Sequence, residues 1–368
     1  VAAFDRFLPM KPPEISELLQ PTVIGQEAAL QEVSVALYKH LIGHRTGNVL
    51  MIGGSGTGKT TIMRSVETLL RADESFRDYG TVVRINANLL ADLASRGQQS
   101  TVVLGKLATE AELRLGKDAT SESIARCVSH GIVFVDEIDK IRSHVGDSPN
   151  VSGIIAQESL LTLMEGEIQS VPIPANPGSG DGVVLPTPVD TGTILFIMGG
   201  AFEELYDQVF DRVTASGKNP PWRLITKADG SIERQIVFQL AAHLEHADLF
   251  SYGMAPQFLA RFDSVVTLRN LSPKDLVTIF RDTHDSLWPA AVDYFQQYGV
   301  TLSLDEEALH FIADKASENS RIGARALKEV FSRIIKGFEY DPFTSGHVND
   351  KKELLITLEI ARKAYERA

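Results

Sequence analysis

Up to Leu268 the chain is punctuated by short apolar runs: Asn48–Ile52, Thr81–Ile85, Ile132–Val135, Thr193–Met198 and Ser264–Leu268. Between them apolar residues recur three and four apart, as at Ile62, Val66, Leu69 and Leu70, the period of a helix with one face in a core. Short runs alternating with helical stretches predict a parallel sheet with helices on both faces, an α/β fold. Pro9, Pro12 and Pro13 limit helix before Pro21 and predict a leading arm, whereas a helical pattern opens at Val23 and runs to about His44. Pro172–Thr191, rich in Pro, Gly and polar residues, predicts a long exposed loop, and Ile236–Leu249 an amphipathic helix.

Beyond Asn270-Leu271-Ser272-Pro273 the pattern turns helical, over Lys274–Thr283, Asp305–Ala316 and Ile322–Lys336. Ser272 suits an N-cap and Pro273 a first helical position. Ser303 with Glu306 predicts a capping box, and Leu354–Leu358 a short strand before a terminal helix. The expected organisation is an arm over residues 1–22, a large domain over 23–269 and a small, mainly helical domain over 270–368.

Composition narrows the picture. The chain has 368 residues, of which 43% are hydrophobic, enough for two cores. Cys127 is the single cysteine, which excludes an internal disulfide and a cysteine-rich zinc module and fits a reducing, cytoplasmic setting. No apolar stretch reaches membrane-span length and nothing resembles a signal peptide, so no membrane partner is expected. Val1 rather than Met opens the sequence, so a preceding segment is expected. A formal net charge of −12 counts against broad nucleic-acid binding. His243 and His246 flank Glu245 without matching H-E-x-x-H, and one face of a helix explains them better than a metal site.

The chemistry concentrates in two segments. Gly53-Gly54-Ser55-Gly56-Thr57-Gly58-Lys59-Thr60 fits G-x-x-x-x-G-K-[ST] in full, between an apolar strand and a helical pattern beginning at Thr61. Such glycines let backbone N–H groups converge on phosphate, aided by the helix N-terminus. Lys59 would reach the β- and γ-phosphates of ATP, and the Thr60 hydroxyl would ligate Mg²⁺. Gly53 to Thr61 is thus a candidate nucleotide-binding segment; a glycine turn that fits by chance is the alternative. The strand Gly131–Val135 ends in Asp136 and Glu137. Asp136 would hold Mg²⁺ with Thr60 and water, and Glu137 would polarise an attacking water. Together the segments predict ATP hydrolysis.

Further residues resemble the ClpX-type AAA+ unfoldases over nearly the whole chain. Val23-Ile24-Gly25-Gln26-Glu27 is similar to the family's opening motif beside the adenine, which implies nucleotide contacts for Val23 and Ile24. Asp136-Glu137-Ile138-Asp139-Lys140-Ile141, Met164-Glu165-Gly166 and Gly199-Gly200-Ala201-Phe202 are shared in form. Pro256-Gln257-Phe258-Leu259-Ala260-Arg261 resembles the arginine-finger segment and Gly323-Ala324-Arg325 the sensor-2 motif. The resemblance implies that Arg261 reaches a neighbouring subunit's γ-phosphate, that Arg325 contacts the nucleotide from the small domain, and that subunits form a homo-oligomeric ring of six. The alternatives are ion pairing of Arg261 with Asp263 and a structural ion pair for Arg325.

Three loops depart from that family. Ser95-Arg96 stands where an aromatic–hydrophobic pair grips polypeptide, so it faces substrate carboxylate or phosphate or else is a solvated loop. Pro177–Leu185, in place of a basic loop, has no positive charge. Ser216–Trp222 lacks the aliphatic–Gly–Phe tripeptide that docks a peptidase, which makes a ClpP-type peptidase partner doubtful; Trp222 is either a partner anchor or a core residue. The expected function is ATP-driven remodelling of a protein or protein complex without that peptidase. A nucleotide-switched assembly factor, a protease-feeding unfoldase and a nucleic-acid motor are the alternatives.

Overall fold

In the computed structural model, the described residues are 10–45, 47–94, 96–97, 99–146, 148–175, 177, 183–215, 222–226, 232–236, 238–283, 286–318, 322–343 and 346–367. They form two compact units. One contains 10–19, Ala28–Gly53 and Ile62–Leu268, and the other Gln20–Glu27, Gly54–Thr61 and Arg269 onward.

The first unit is built on a parallel sheet of β1 (Val49–Ile52), β2 (Val82–Asn86), β3 (Ile132–Asp136), β4 (Leu195–Gly200) and β5 (Ser264–Thr267), in the order β5-β1-β4-β3-β2. All five expected strands pair in this sheet. β1 and β4 are buried along their whole length, as is β3 up to Val135, which is why they read as unbroken apolar runs. Edge strand β2 instead exposes Arg84 and Asn86. Register aligns the carboxyl ends: Ile52 lies beside Gly200, and Asn86 beside Asp136. In open α/β sheets that end carries the ligand site.

Around the sheet the pattern needs three corrections. Pro12 and Pro13 do not limit a helix; they open one, Pro12–Leu19, whose Ile15 and Leu19 are buried. Proline suits the first helical turn because its missing N–H would lack a partner there anyway. Half of the expected loop Pro172–Thr191 belongs to an antiparallel ribbon of Ile168–Pro174 and Val184–Asp190. Val171, Ile173 and Val189 point inward and are buried, while prolines 172, 174, 186 and 188 occupy the alternate positions and disguised the strand period as loop. The expected helix Ile236–Leu249 is split: Ile236 ends the strand Ile232–Ile236, and helices cover Leu240–His243 and His246–Tyr252. The N-cap of the second is Glu245, whose backbone N–H donates to Asp248 Oδ2 at 2.8 Å.

The second unit packs helices Pro273–Asp282, Leu287–Gln296, Glu306–Glu318, Arg325–Tyr340 and Leu358–Arg367 with a two-stranded parallel sheet, β6 (Thr301–Leu304) and β7 (Glu353–Ile356). Helix Arg325–Tyr340 buries Leu327, Val330, Phe331, Ile334, Ile335 and Phe338 along one face, and Phe331 meets Phe280 edge-on with centroids 4.9 Å apart. Ser272 caps the first helix through Asp275 N–H, with Pro273 at the first position. The expected Ser303–Glu306 box does not form, because Ser303 lies within β6 and bonds the Leu354 carbonyl. Asp305 caps instead: Oδ1 accepts from Ala308 N–H at 2.6 Å and Oδ2 from Leu358 N–H at 3.3 Å, serving two helix starts.

Candidate nucleotide site

The first unit places its candidate residues at the carboxyl ends of β2 and β3. Glu137 adopts a left-handed backbone, φ 58°, rare for a residue with a Cβ and a recurrent sign of a functional position. Asp136 Oδ1 accepts from the Glu137 N–H at 2.9 Å. Glu137 Oε2 accepts from Asn86 Nδ2 at 2.8 Å and from Asn88 Nδ2 at 3.3 Å. Both asparagines escaped the sequence reading; the signal was Asn86-Ala87-Asn88 at the end of the neighbouring strand. Buried Asp139 takes the Ala201 N–H at 3.1 Å. A Cβ on Gly200 would lie 2.6 Å from that carboxylate, a physical reason for glycine at the end of β4.

Arg261 lies elsewhere on this unit, after the short helix Pro256–Leu259. Its guanidinium bonds Glu165 at 2.9 Å, and both side chains are partly exposed. The alternative partner, Asp263, pairs with Lys39 instead. Asn48 anchors the segment, donating to the Arg261 carbonyl at 3.0 Å and accepting from Phe196 N–H at 3.0 Å.

The second unit gathers the glycine loop. Gly56 and Gly58 have φ of +73° and +108°, and helix Lys59–Ala72 begins directly afterwards. Lys59 is buried, with Nζ on the Gly54 carbonyl at 2.9 Å; the Thr57 hydroxyl reaches the same carbonyl at 2.9 Å. Arg325 donates to Ser55 Oγ at 2.6 Å, and Ala324 N–H to the Gly56 carbonyl at 3.0 Å. A Cβ on Gly56 would fall 2.2 Å from the Ile322 carbonyl, and one on Gly323 2.7 Å from the Gly56 carbonyl, so both positions require glycine. Val23 is buried and Ile24 half-buried, in the turn before helix Glu27–Leu41. Arg269 and Asp275 form a two-bond ion pair at 2.7 and 3.2 Å. Burial pushes the Asp275 carboxyl up, but bonds from Arg269 and Ser272 outweigh it and hold it below its usual value.

Judged by donor chemistry within each unit, the second unit's loop N–H groups and Lys59 ammonium suit phosphate. Its Thr60 hydroxyl, and separately the first unit's Asp136 carboxylate, are hard oxygens of the type that Mg²⁺ accepts.

The family profile for the AAA domain (Cdc48 subfamily) matches residues 44–265. The chain belongs to the AAA+ ATPases. Within them it is of the ClpX type. It is 29% identical over 381 residues to the ATP-dependent Clp protease ATP-binding subunit ClpX of Bacteroides thetaiotaomicron, covering 97% of this chain and 82% of that one. A Bacteroides fragilis protein of the same name is 28% identical over 375 residues, with the same coverage. One from Porphyromonas gingivalis is 28% identical over 341 residues, covering 88% and 76%. This AAA+ ATPase therefore binds nucleotide and hydrolyses ATP.

Its departing loops are only partly described. Ser95 lies outside the described residues; Arg96 is exposed, its N–H on the Leu93 carbonyl at 3.1 Å. Residues 178–182 and 216–221 also lie outside them, and Trp222 opens the strand Trp222–Thr226, paired with Ile232–Ile236. Among the described residues, no group of three or more His, Cys, Asp or Glu could hold a metal ion. His243 instead stacks on Phe238, with centroids 5.2 Å apart. No helix searched is long and apolar enough to cross a membrane.

Proposed function

We propose that this ATPase remodels a protein or protein complex as a homo-oligomeric ring, six subunits by analogy with its ClpX-type relatives, without a ClpP-type peptidase. The observation carrying this reading is the 2.6 Å bond from Arg325 to Ser55. It ties the phosphate loop to the first residue of helix Arg325–Tyr340, so a change at the loop acts directly on a helix that fills the helical unit's core. Val23, Ile24 and Gly53 to Thr61 hold the nucleotide, and Thr60 and Asp136 hold Mg²⁺, in this reading. Bound Mg²⁺ supplies positive charge to the phosphates. Glu137 orients a water and takes its proton, Arg325 exchanges Ser55 for phosphate, and Arg261 leaves Glu165 to act on a neighbour's site.

Three loops support the peptidase-free reading: Ser95-Arg96 has no apolar grip, Pro177–Leu185 no cation, and Ser216–Trp222 no aliphatic–Gly–Phe tripeptide. Comparing ATPase stimulation by unfolded protein, by folded complexes and by DNA tests the substrate class. Stimulation by folded complexes supports remodelling, and steep salt-dependent stimulation by DNA would replace it with a nucleic-acid motor. ATP-dependent degradation of a fluorescent substrate by a mixture with ClpP would sink the peptidase-free reading. The second reading, a nucleotide-switched assembly factor, gains support if ATP changes partner binding while turnover stays unstimulated.

A further inference from the structure

We infer that Gln26 is a positioning residue that fixes the peptide plane between Thr57 and Gly58, and with it the direction of the Gly58 N–H in the phosphate loop. This rests on the reading of Gly53–Thr60 as the phosphate loop. Gln26 is buried, 3% exposed, in the turn before helix Glu27–Leu41. Its Nε2 donates to the Thr57 carbonyl and to the Arg269 carbonyl, each at 2.9 Å, and its Oε1 accepts from the Arg269 N–H at 3.0 Å. Both donors of the amide are thereby used, and Arg269 is held by N–H and C=O together, as a neighbouring strand would hold it.

A trans peptide is planar with its C=O and N–H pointing in opposite directions. Holding the Thr57 carbonyl toward Gln26 therefore turns the Gly58 N–H away from it. Gly58, at φ +108°, is a residue where backbone rotation is otherwise cheap, so the plane needs an external hold. Phosphate binding depends on several loop N–H groups aimed at one point, and a turned plane removes one donor and presents a carbonyl oxygen instead. The same side chain makes the loop and the Arg269 backbone, which leads into helix Pro273–Asp282, a single hydrogen-bonded piece.

The side chain needs both length and donors. Glutamate at this position keeps the shape but sets a carboxylate against two carbonyls. Methionine keeps the bulk without polar atoms.

The test uses the full chain: fluorescent-ATP titration, steady-state turnover and thermal unfolding for the parent protein, Lys59→Ala, Gln26→Glu and Gln26→Met. Lys59→Ala should lose binding. Both Gln26 variants should bind about tenfold or more weakly, with the loss greater in KM than in kcat, while the nucleotide-free melting temperature falls by only about 5 °C or less. Affinity within about twofold of the parent for both Gln26 variants overturns the inference. Normal binding by Lys59→Ala would overturn the phosphate-loop reading itself, a separate failure. Should both Gln26 variants fail to fold, hydrogen exchange of the parent protein decides. A nonhydrolysable ATP analogue should slow exchange at Thr57-Gly58 and at Arg269 together, and protection of the loop alone would refute the link.

Discussion

Asn86 hydrogen-bonds Glu137 at 2.8 Å across the carboxyl ends of two neighbouring parallel strands. The carboxylate proposed to activate water is thus held by an amide from another segment, with Asn88 as a second, longer contact. Asn86→Ala should lower kcat by about three- to tenfold while KM for ATP moves by less than about twofold, the signature of a misoriented base. A rise in kcat would show that the amide restrains the carboxylate instead of aiming it.

Glu137→Gln and Lys59→Ala separate chemistry from binding. The first keeps side-chain shape and should bind ATP normally with turnover down about a hundredfold or more. The second removes the loop's cation and should show no ATP binding by calorimetry. Equal turnover by Glu137→Gln and the parent protein would refute Glu137 as the base.

Arg261 offers a test of shared sites. Arg261→Ala breaks only a partly exposed ion pair with Glu165, so its cost in stability should stay below about 1 kcal/mol. Turnover should nevertheless fall about tenfold or more with nucleotide affinity nearly kept. Mixing Arg261→Ala with Lys59→Ala subunits should restore part of the activity. Full activity of Arg261→Ala in a demonstrably monomeric preparation would exclude action between subunits.

His40 predicts a pH dependence. Burial holds its pKa down from 6.5 to about 4, and its Nε2 lies 3.0 Å from the His130 carbonyl. The unfolded chain takes up a proton below pH 6.5 that the folded chain refuses until about pH 4. The contribution is therefore complete above the upper value and lost as pH falls toward the lower, by up to about 3 kcal/mol. Denaturant titrations across this window should show a steeper decline for the parent protein than for His40→Gln; identical slopes would remove His40 as the cause.

The strands, the glycine loop and the Asp136-Glu137 pair were legible because each is contiguous in sequence. The first four residues of β3, Ile132 to Val135, are buried, so their apolar run had no competing explanation. Asn86, Asn88 and Gln26 were not legible as partners, because strand register and side-chain reach bring them to Glu137, Thr57 and Arg269 from distant positions. Ser303 misled by fitting a local capping pattern while its backbone was committed to β6; Asp305, two residues on, was free to cap. The ribbon at Ile168–Asp190 was hidden by prolines, which weigh against strand in any local reading.

Those prolines have a consequence for behaviour at high concentration. Ala175 N–H bonds the Val183 carbonyl at 2.8 Å, which fixes the alternation, so positions 184, 186 and 188 turn their backbones outward. Val184 and Leu185 are exposed and apolar there, the makings of a sticky strand that could recruit another chain. Pro186 and Pro188 have no N–H to offer, so an incoming strand finds broken rungs. Replacing both with threonine should leave ATP turnover intact and make light scattering rise on concentration, marking the ribbon as a guarded edge.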